Sequence, residues 1–234
     1  MPRGRAPGYA TQREQILARA AELFARQGYS GTSMNQVASA CGVSKPALYH
    51  YVQDKYQLLV EITQGHVDRL HALVADEAAE ADQAGASTAL PEARMRELIL
   101  RFMQAYAHAQ AEHRVLTEDV KFLQPGDRQR VLDAERRVVG AFARAIAAAR
   151  PDLAAAHLEK PLTMLLFGMM NWMFTWLRPQ GPLSHADMTP VVADLFFGGL
   201  GAVQVPAAAR PAAAPRPPAR GRSRPARPGL RAVA

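Results

Sequence analysis

The sequence predicts an all-α protein built as two helical parts followed by a tail, and three observations carry that prediction. Ala, Leu, Arg, Met, Glu and Gln dominate its 234 residues, a composition that favours helix by intrinsic propensity. Apolar residues recur at helical spacing, as Ile16, Ala20, Leu23 and Phe24 do in TQREQILARAAELFARQ (11–27), with charges opposite. Turn chemistry then punctuates the chain at Gly28 and Gly31, Cys41-Gly42, Pro125-Gly126 and Arg150-Pro151. With 49% apolar residues the chain can bury a real core.

The first helix ends at Gly28 and Gly31, and Ser33 is a good N-cap for a second over 34–40. Ser44 caps a third, with Pro46 in its first turn, where the missing N–H costs nothing. Asp54 caps a fourth that runs through Leu70 toward Glu80. The stretch ADQAGASTALP (81–91) reads as a connector. Helices follow at about 91–111, 114–123 and 127–149, the last with Asp127 as its cap. A strongly apolar helix spans 161–177, then comes the loop RPQGPLS and a final helix ending near Gly198-Gly199. From Pro206 onward, seven prolines and seven arginines in 29 residues cannot pack a core, so the tail is expected to be disordered. The expected units are a head, 1–60, a body, 61–205, and a tail, 206–234.

The formal charge of +7 is unevenly spread: the head carries +4, the body −4 and the tail +7. A basic head fits a polyanion such as DNA as well as it fits a solvated basic face. Cys41 is the one cysteine, which excludes an internal disulfide and a cysteine metal site. No apolar stretch follows the basic start, so no secretory leader is visible and a cytoplasmic location is the default.

Two short capped helices joined by Ala40-Cys41-Gly42-Val43 suit a helix-turn-helix, whose second helix lies in the DNA major groove. Val37, Ala38, Val43 and Leu48 would face inward, leaving Ser44, Lys45, Pro46, Ala47, Tyr49 and His50 outward. Lys45 suits guanine or phosphate, Tyr49 and His50 suit phosphates, and Pro46 and Ala47 suit a thymine methyl. Lys55, at the start of the next helix, adds a charge where that N-terminus already favours a phosphate. An ordinary surface helix with a Tyr-His pair is the bland alternative.

Residues 16–59 closely resemble the DNA-binding domain of the TetR family of transcriptional regulators. The resemblance rests on Leu23-Phe24, Gly28, Ser33, Val37-Ala38, Gly42-Val43-Ser44, Leu48-Tyr49-His50-Tyr51, Lys55 and Leu58-Leu59. It implies a two-fold homodimer, a palindromic double-stranded DNA operator and a separate helical ligand domain. Carried over by position, it makes Lys45, Pro46, Ala47 and Tyr49 the base-reading face, with Ser33, Ser44, His50 and Lys55 holding the backbone. Ala47 stands where many relatives have Thr or Ser, and Val52-Gln53 varies the link to the fourth helix, so the operator sequence does not transfer. Arg3 and Arg5 either enter a neighbouring minor groove or belong to a flexible end.

In PLTMLLFGMMNWMFTWL (161–177), Leu165, Met169, Trp172 and Trp176 form one stripe, and Leu166, Met170, Met173 and Leu177 another. A helix apolar on every side is expected to be buried on every side, here between its own core or ligand and a partner subunit. A membrane span is the rival reading, but about 16 apolar residues interrupted by Asn171 fall short of the ~20 needed. Leu165, Met169, Trp172, Trp176, Val192, Leu195 and Phe196 are the expected dimer residues, the last three from the final helix. The stretch 167–200 also resembles the C-terminal end of TetR-family regulators of phenylacetate, fatty-acid or steroid-ring catabolism, which sense coenzyme A thioesters. That implies a small apolar inducer such as an acyl- or aryl-CoA thioester. Such a ligand needs an apolar slot and cations for its phosphates. Phe102, Tyr106, Phe122, Phe142, Phe167, Met170 and Phe174 are candidates for the slot; Arg101, Arg137 and Arg178 are candidates for the phosphates.

His108 and His113 are five apart, off one helical face, as are His66 and His71, so no metal site is expected. No nucleophile elbow, phosphate loop or zincin motif appears, so neither catalysis nor a cofactor has a candidate residue. The expected function is a ligand-gated homodimeric repressor. The alternative is an architectural DNA-binding protein with no inducer. The tail either adds non-specific DNA affinity or is a passive extension.

Overall fold

A computed structural model of the chain describes residues 9–83, 90–178 and 181–204, with the backbone alone over 77–83. The arm carrying Arg3 and Arg5, most of the 81–91 connector and the 206–234 tail lie outside the described residues. Every regular element among those described is helical.

The head consists of α1 (Tyr9–Gly31), α2 (Met34–Ala40) and α3 (Lys45–Leu48). Gly28 breaks α1 as expected: at φ 79 it takes a left-handed backbone that a side chain would strain. The Tyr29 amide then leaves the helix and donates to Asp119 Oδ2 at 3.2 Å. Ser33 caps α2 reciprocally with Gln36, and Ser44 Oγ accepts from the Ala47 amide at 3.2 Å. Gly42, at φ 65, makes the turn between the two helices. Asp54 Oδ1 accepts from the Gln57 amide at 2.7 Å, capping α4 (Lys55–Gln83), the long helix that leaves the head and crosses the body.

The body contains α5 (Pro91–His108), α6 (Gln110–Asp119), a 3-10 turn (Val120–Phe122), α7 (Pro125–Ala149) and α8 (Pro151–Ala155). It closes with α9 (Glu159–Asn171), α10 (Met173–Trp176) and α11 (His185–Ala202). Asp127 does not cap α7, which begins two residues earlier at Pro125. Its carboxylate instead accepts from Tyr56 Oη at 2.6 Å, while that oxygen accepts from the Gln124 amide at 2.8 Å. The 161–177 segment is two helices rather than one, turning at Trp172.

Two apolar cores result. One joins Ile16, Leu23, Phe24, Val37, Leu48 and Leu58 of the head and α4 to Val115, Leu116 and Leu123 near α6. The other holds Leu98, Phe102, Phe142, Ile146, Leu166 and Phe196 of α5, α7, α9 and α11. The head therefore has no core of its own. It shares one with α4 and α6, so α4 and α6 are the mechanical link between the two parts.

Candidate functional site

In the head, Leu48 is fully buried under α1 and α2, which fixes how α3 rolls. Lys45, Pro46, Tyr49 and His50 are consequently exposed, with Ala47 half-buried beside them. Ser33 and Ser44 are exposed as well, although each already spends its hydroxyl oxygen on a cap. The three adjacent rings divide: Tyr49 and His50 face out, whereas Tyr51 stacks on Tyr9 with centroids 4.9 Å apart. Tyr9 also donates to the His50 carbonyl at 3.3 Å. Lys55 takes a different place from the other candidates. Its ammonium donates to the carbonyls of Tyr29 at 2.9 Å and Thr32 at 2.8 Å and sits 4.4 Å from the Tyr29 ring centroid. Two of its three donors thus tie α4 to the end of α1, which makes it a fastener of the head.

In the body, α4, α5, α6, α7 and α9 line a mostly apolar, half-open cavity of about 270 Å³. Val67, Leu70, Leu116, Val138 and Phe167 supply much of its wall, and Tyr106, His113, Glu135 and Asn171 supply polar groups. The His113 ring stacks on Tyr106 with centroids 4.0 Å apart, and its Nδ1 lies 3.2 Å from Nε2 of His66 on α4. Burial pushes both histidines far below the usual 6.5. His66 falls to about 3, with the charges of His113 and Arg69 adding to the effect, and His113 falls to about 4, with His185 adding. Both are therefore neutral at physiological pH. Burial raises the Glu135 carboxyl against the opposing pull of Arg136, and raises the Tyr106 phenol with help from Glu135.

Of the aromatic candidates, Tyr106 and Phe167 line this cavity. Phe102, Phe142 and Met170 do not: they are core residues, with Phe142 packed 4.9 Å from both Phe102 and Phe167. Phe174 is half-buried with its ring 6.1 Å from His113. Phe122 is away from the cavity, 5.5 Å from Tyr29 where the body meets the head, because the 3-10 turn carries it there. Among the described residues no arginine lines the cavity: Arg178 is exposed, Arg101 pairs with Glu97, and Arg137 donates to His71. The histidine pair was missed because its members are 47 residues apart. The available signal was that each His takes an apolar place in its helix, with Ile62, His66 and Leu70 at four-residue spacing and His113 three before Leu116.

The expected dimer residues also separate. Leu165 and Leu195 are about two-thirds exposed, at 66% and 65%, and Trp172 and Trp176 are exposed with them. Met169 is half-buried. Val192 and Phe196 point the other way, into the core among α5 and α9, and Val191 takes their place on the outer face of α11. The helix that looked buried on every side thus leaves one apolar face uncovered in the single chain.

The N-terminal region matches the model of bacterial regulatory proteins of the tetR family over residues 16–62, and residues 88–200 match the tetracyclin repressor-like C-terminal domain. A solved TetR-family transcriptional regulator from Bordetella parapertussis is 32% identical, with a TM-score of 0.70 over 82% of this chain and 97% of that one. The chain belongs to the TetR family of transcriptional regulators. The transcriptional activator FasR of Mycolicibacterium smegmatis is 26% identical over 81% of this chain and 83% of its own. AibR, solved in complex with isovaleryl coenzyme A and operator DNA, shares the fold at a TM-score of 0.64 and 23% identity, over 79% of this chain and 97% of that one. This regulator is therefore a helix-turn-helix DNA-binding protein of an all-α fold, in a family of transcriptional regulators and not of enzymes. Among the described residues no helix is long and apolar enough to cross a membrane.

Proposed function

We propose that this regulator is a homodimeric repressor that holds a palindromic operator and releases it when an apolar small molecule enters the body. The observation that carries the reading is the position of the cavity. Val67 and Leu70 in its wall belong to α4, whose Lys55 fastens it to the end of α1 in the head and whose Tyr56 ties it to the start of α7. A guest that fits only one placement of α4 shifts the balance between operator-binding and released forms by its difference in affinity for the two. Paired α3 helices meet successive major grooves ~34 Å apart, so a small displacement of each head loses the match. Lys45, Pro46, Ala47 and Tyr49 read bases, and Ser33, Ser44 and His50 meet the backbone.

The ligand class is an acyl- or aryl-CoA thioester, of which the cavity takes the acyl or aryl group. At about 270 Å³ the cavity is at the small end of ligand sites, and among the described residues no Lys or Arg lines it for a phosphate. The nucleotide part of such a thioester would lie outside it. An ionised Glu135 in the wall opposes a free carboxylate, which favours the thioester over its acid, although burial raises the Glu135 carboxyl and weakens that opposition. AibR, on the same fold, binds isovaleryl coenzyme A. The exposed face of Leu165, Trp172, Trp176, Val191 and Leu195 supplies the dimer contact, an aromatic-rich apolar patch of the kind interfaces bury.

Operator binding measured on DNA from upstream of the regulator's own gene, titrated with acyl- and aryl-CoA thioesters and their free acids, tests this. Release by one thioester and not by its acid is the expected result. Binding that no thioester disturbs favours the architectural alternative, and tighter binding with thioester present overturns the repressor. Leu195→Asp is expected to yield monomers by sedimentation and to abolish operator binding.

A further inference from the structure

His113 is only 4% exposed, lines the cavity, and has no partner at Nε2. A buried polar atom without a partner is uncommon and calls for an explanation. Its other nitrogen faces His66 Nε2 at 3.2 Å, and His66 Nδ1 is likewise without a partner. Both rings are neutral, so one proton lies between them and each ring carries one proton in all.

Two arrangements satisfy that bond. If His113 Nδ1–H donates, His66 must carry its proton on Nδ1, which buries an N–H with nothing to accept it. If His66 Nε2–H donates, His66 Nδ1 is left with a lone pair and His113 carries its proton on Nε2, at the cavity. Each arrangement leaves one N–H and one lone pair without a partner, but the second places the N–H on the ring that lines the cavity, so a guest carrying an acceptor selects it. A guest entering the cavity then meets a donor on a mostly apolar wall.

We propose that His113 is the residue by which the cavity recognises its guest, its Nε2–H donating to a carbonyl oxygen on an otherwise apolar molecule, with His66 of α4 the positioning residue that holds this tautomer. The proposal rests on the reading of the cavity as the effector site. It adds a chemical requirement that size and apolarity alone do not make. A thioester carbonyl meets the requirement, as does a ketone, whereas a hydrocarbon of the same shape does not.

The test uses two probes of one shape, cyclohexanone and methylenecyclohexane, titrated into the full chain labelled with 15N-histidine. Cyclohexanone is expected to bind about fivefold tighter, the scale of one neutral hydrogen bond, and to shift the His113 Nε2 resonance. In His113→Phe the preference is expected to vanish while methylenecyclohexane still binds, which also shows that the variant keeps its cavity. Equal affinity of the two probes for the wild-type chain overturns the role of His113 and leaves the cavity as effector site standing. Failure of both probes to bind overturns both readings. The ring 15N spectrum of the wild-type chain decides independently of any variant: a proton on His113 Nδ1 overturns the proposal. In His66→Leu the His113 signal is expected to lose its single-tautomer signature, a change that mere packing by His66 would not produce.

Discussion

The joint between head and body and the wall of the body's cavity differ in how their polar groups are partnered. At the joint, the Tyr29 amide, the carbonyls of Tyr29 and Thr32, the Lys55 ammonium and the Tyr56 hydroxyl all find partners. In the body, His66 Nδ1, His113 Nε2 and Asn171 Oδ1 are buried without one. A saturated network holds one geometry, because any displacement leaves a polar group unpaired at a cost of about 1–3 kcal/mol. An unsaturated wall has that energy available to a guest. The contrast assigns rigidity to the part that must match DNA and adaptability to the part that must sense a molecule.

The sharpest way to break this comparison is to ask whether the body's aromatics are wall or core. Phe102 is fully buried and touches Phe142 and Tyr106 edge-on. Phe102→Ala is expected to cost about 3–5 kcal/mol in urea unfolding, the range for a buried aromatic that leaves a cavity. A loss below about 1 kcal/mol would make Phe102 a yielding lining residue and the body looser than described.

Acid probes the same contrast through the histidine pair. Each ring titrates near 6.5 when unfolded, but at about 3 for His66 and about 4 for His113 when folded. Below pH 6.5 the unfolded chain gains protons that the folded chain refuses. Their contribution to stability is therefore full above pH 6.5 and falls with pH until the folded rings protonate, by about 1.4 kcal/mol per pH unit for each histidine. Chemical denaturation between pH 7 and 5 is expected to show this loss, and a His66→Leu/His113→Leu variant to show a flatter profile. Equal slopes in the two would mean that the rings are solvated.

At the joint, Lys55→Met is expected to lower stability by about 1–3 kcal/mol, since two charge-assisted hydrogen bonds go. It should leave the salt dependence of operator binding unchanged. Lys45→Ala should do the reverse, sparing stability and reducing the log–log salt slope by about one. A reduced slope for Lys55→Met would return Lys55 to the DNA surface.

What the sequence makes legible follows from the range of the interactions. The caps at Ser33, Ser44 and Asp54 and the break at Gly28 are local and were readable from residue type and spacing. So was the outward set of Lys45, Pro46, Tyr49 and His50, because burying Leu48 determines the rest of so short a helix. The body resists such reading because its site is assembled from five helices. Periodicity shows that Phe102, Phe142 and Phe167 are apolar and inward, but not that only Phe167 borders a space. The stripes of α9 and α11 were legible as stripes, yet the faces of Val192 and Leu195 were not distinguishable, since both neighbours of α11 are apolar. Lys55 shows the same limit in the head: its charge was visible, and the carbonyls 26 and 23 residues away that use it were not.

The smallest expected effect is also the most direct test of the exposed surface. Tyr49 is 45% exposed on the outer side of α3, next to Lys45 one turn away, while Tyr51 two residues on is taken up by Tyr9. If the head's rigidity serves to present this ring, its hydroxyl is the group that DNA meets. Tyr49→Phe is then expected to weaken specific operator binding by about 1 kcal/mol, close to fivefold, without changing stability. Tyr51→Phe should leave operator affinity unchanged, because that ring works by stacking. Equal effects from the two would mean that the head yields on DNA, and that the contrast between a fixed head and an adaptable body does not survive contact with the operator.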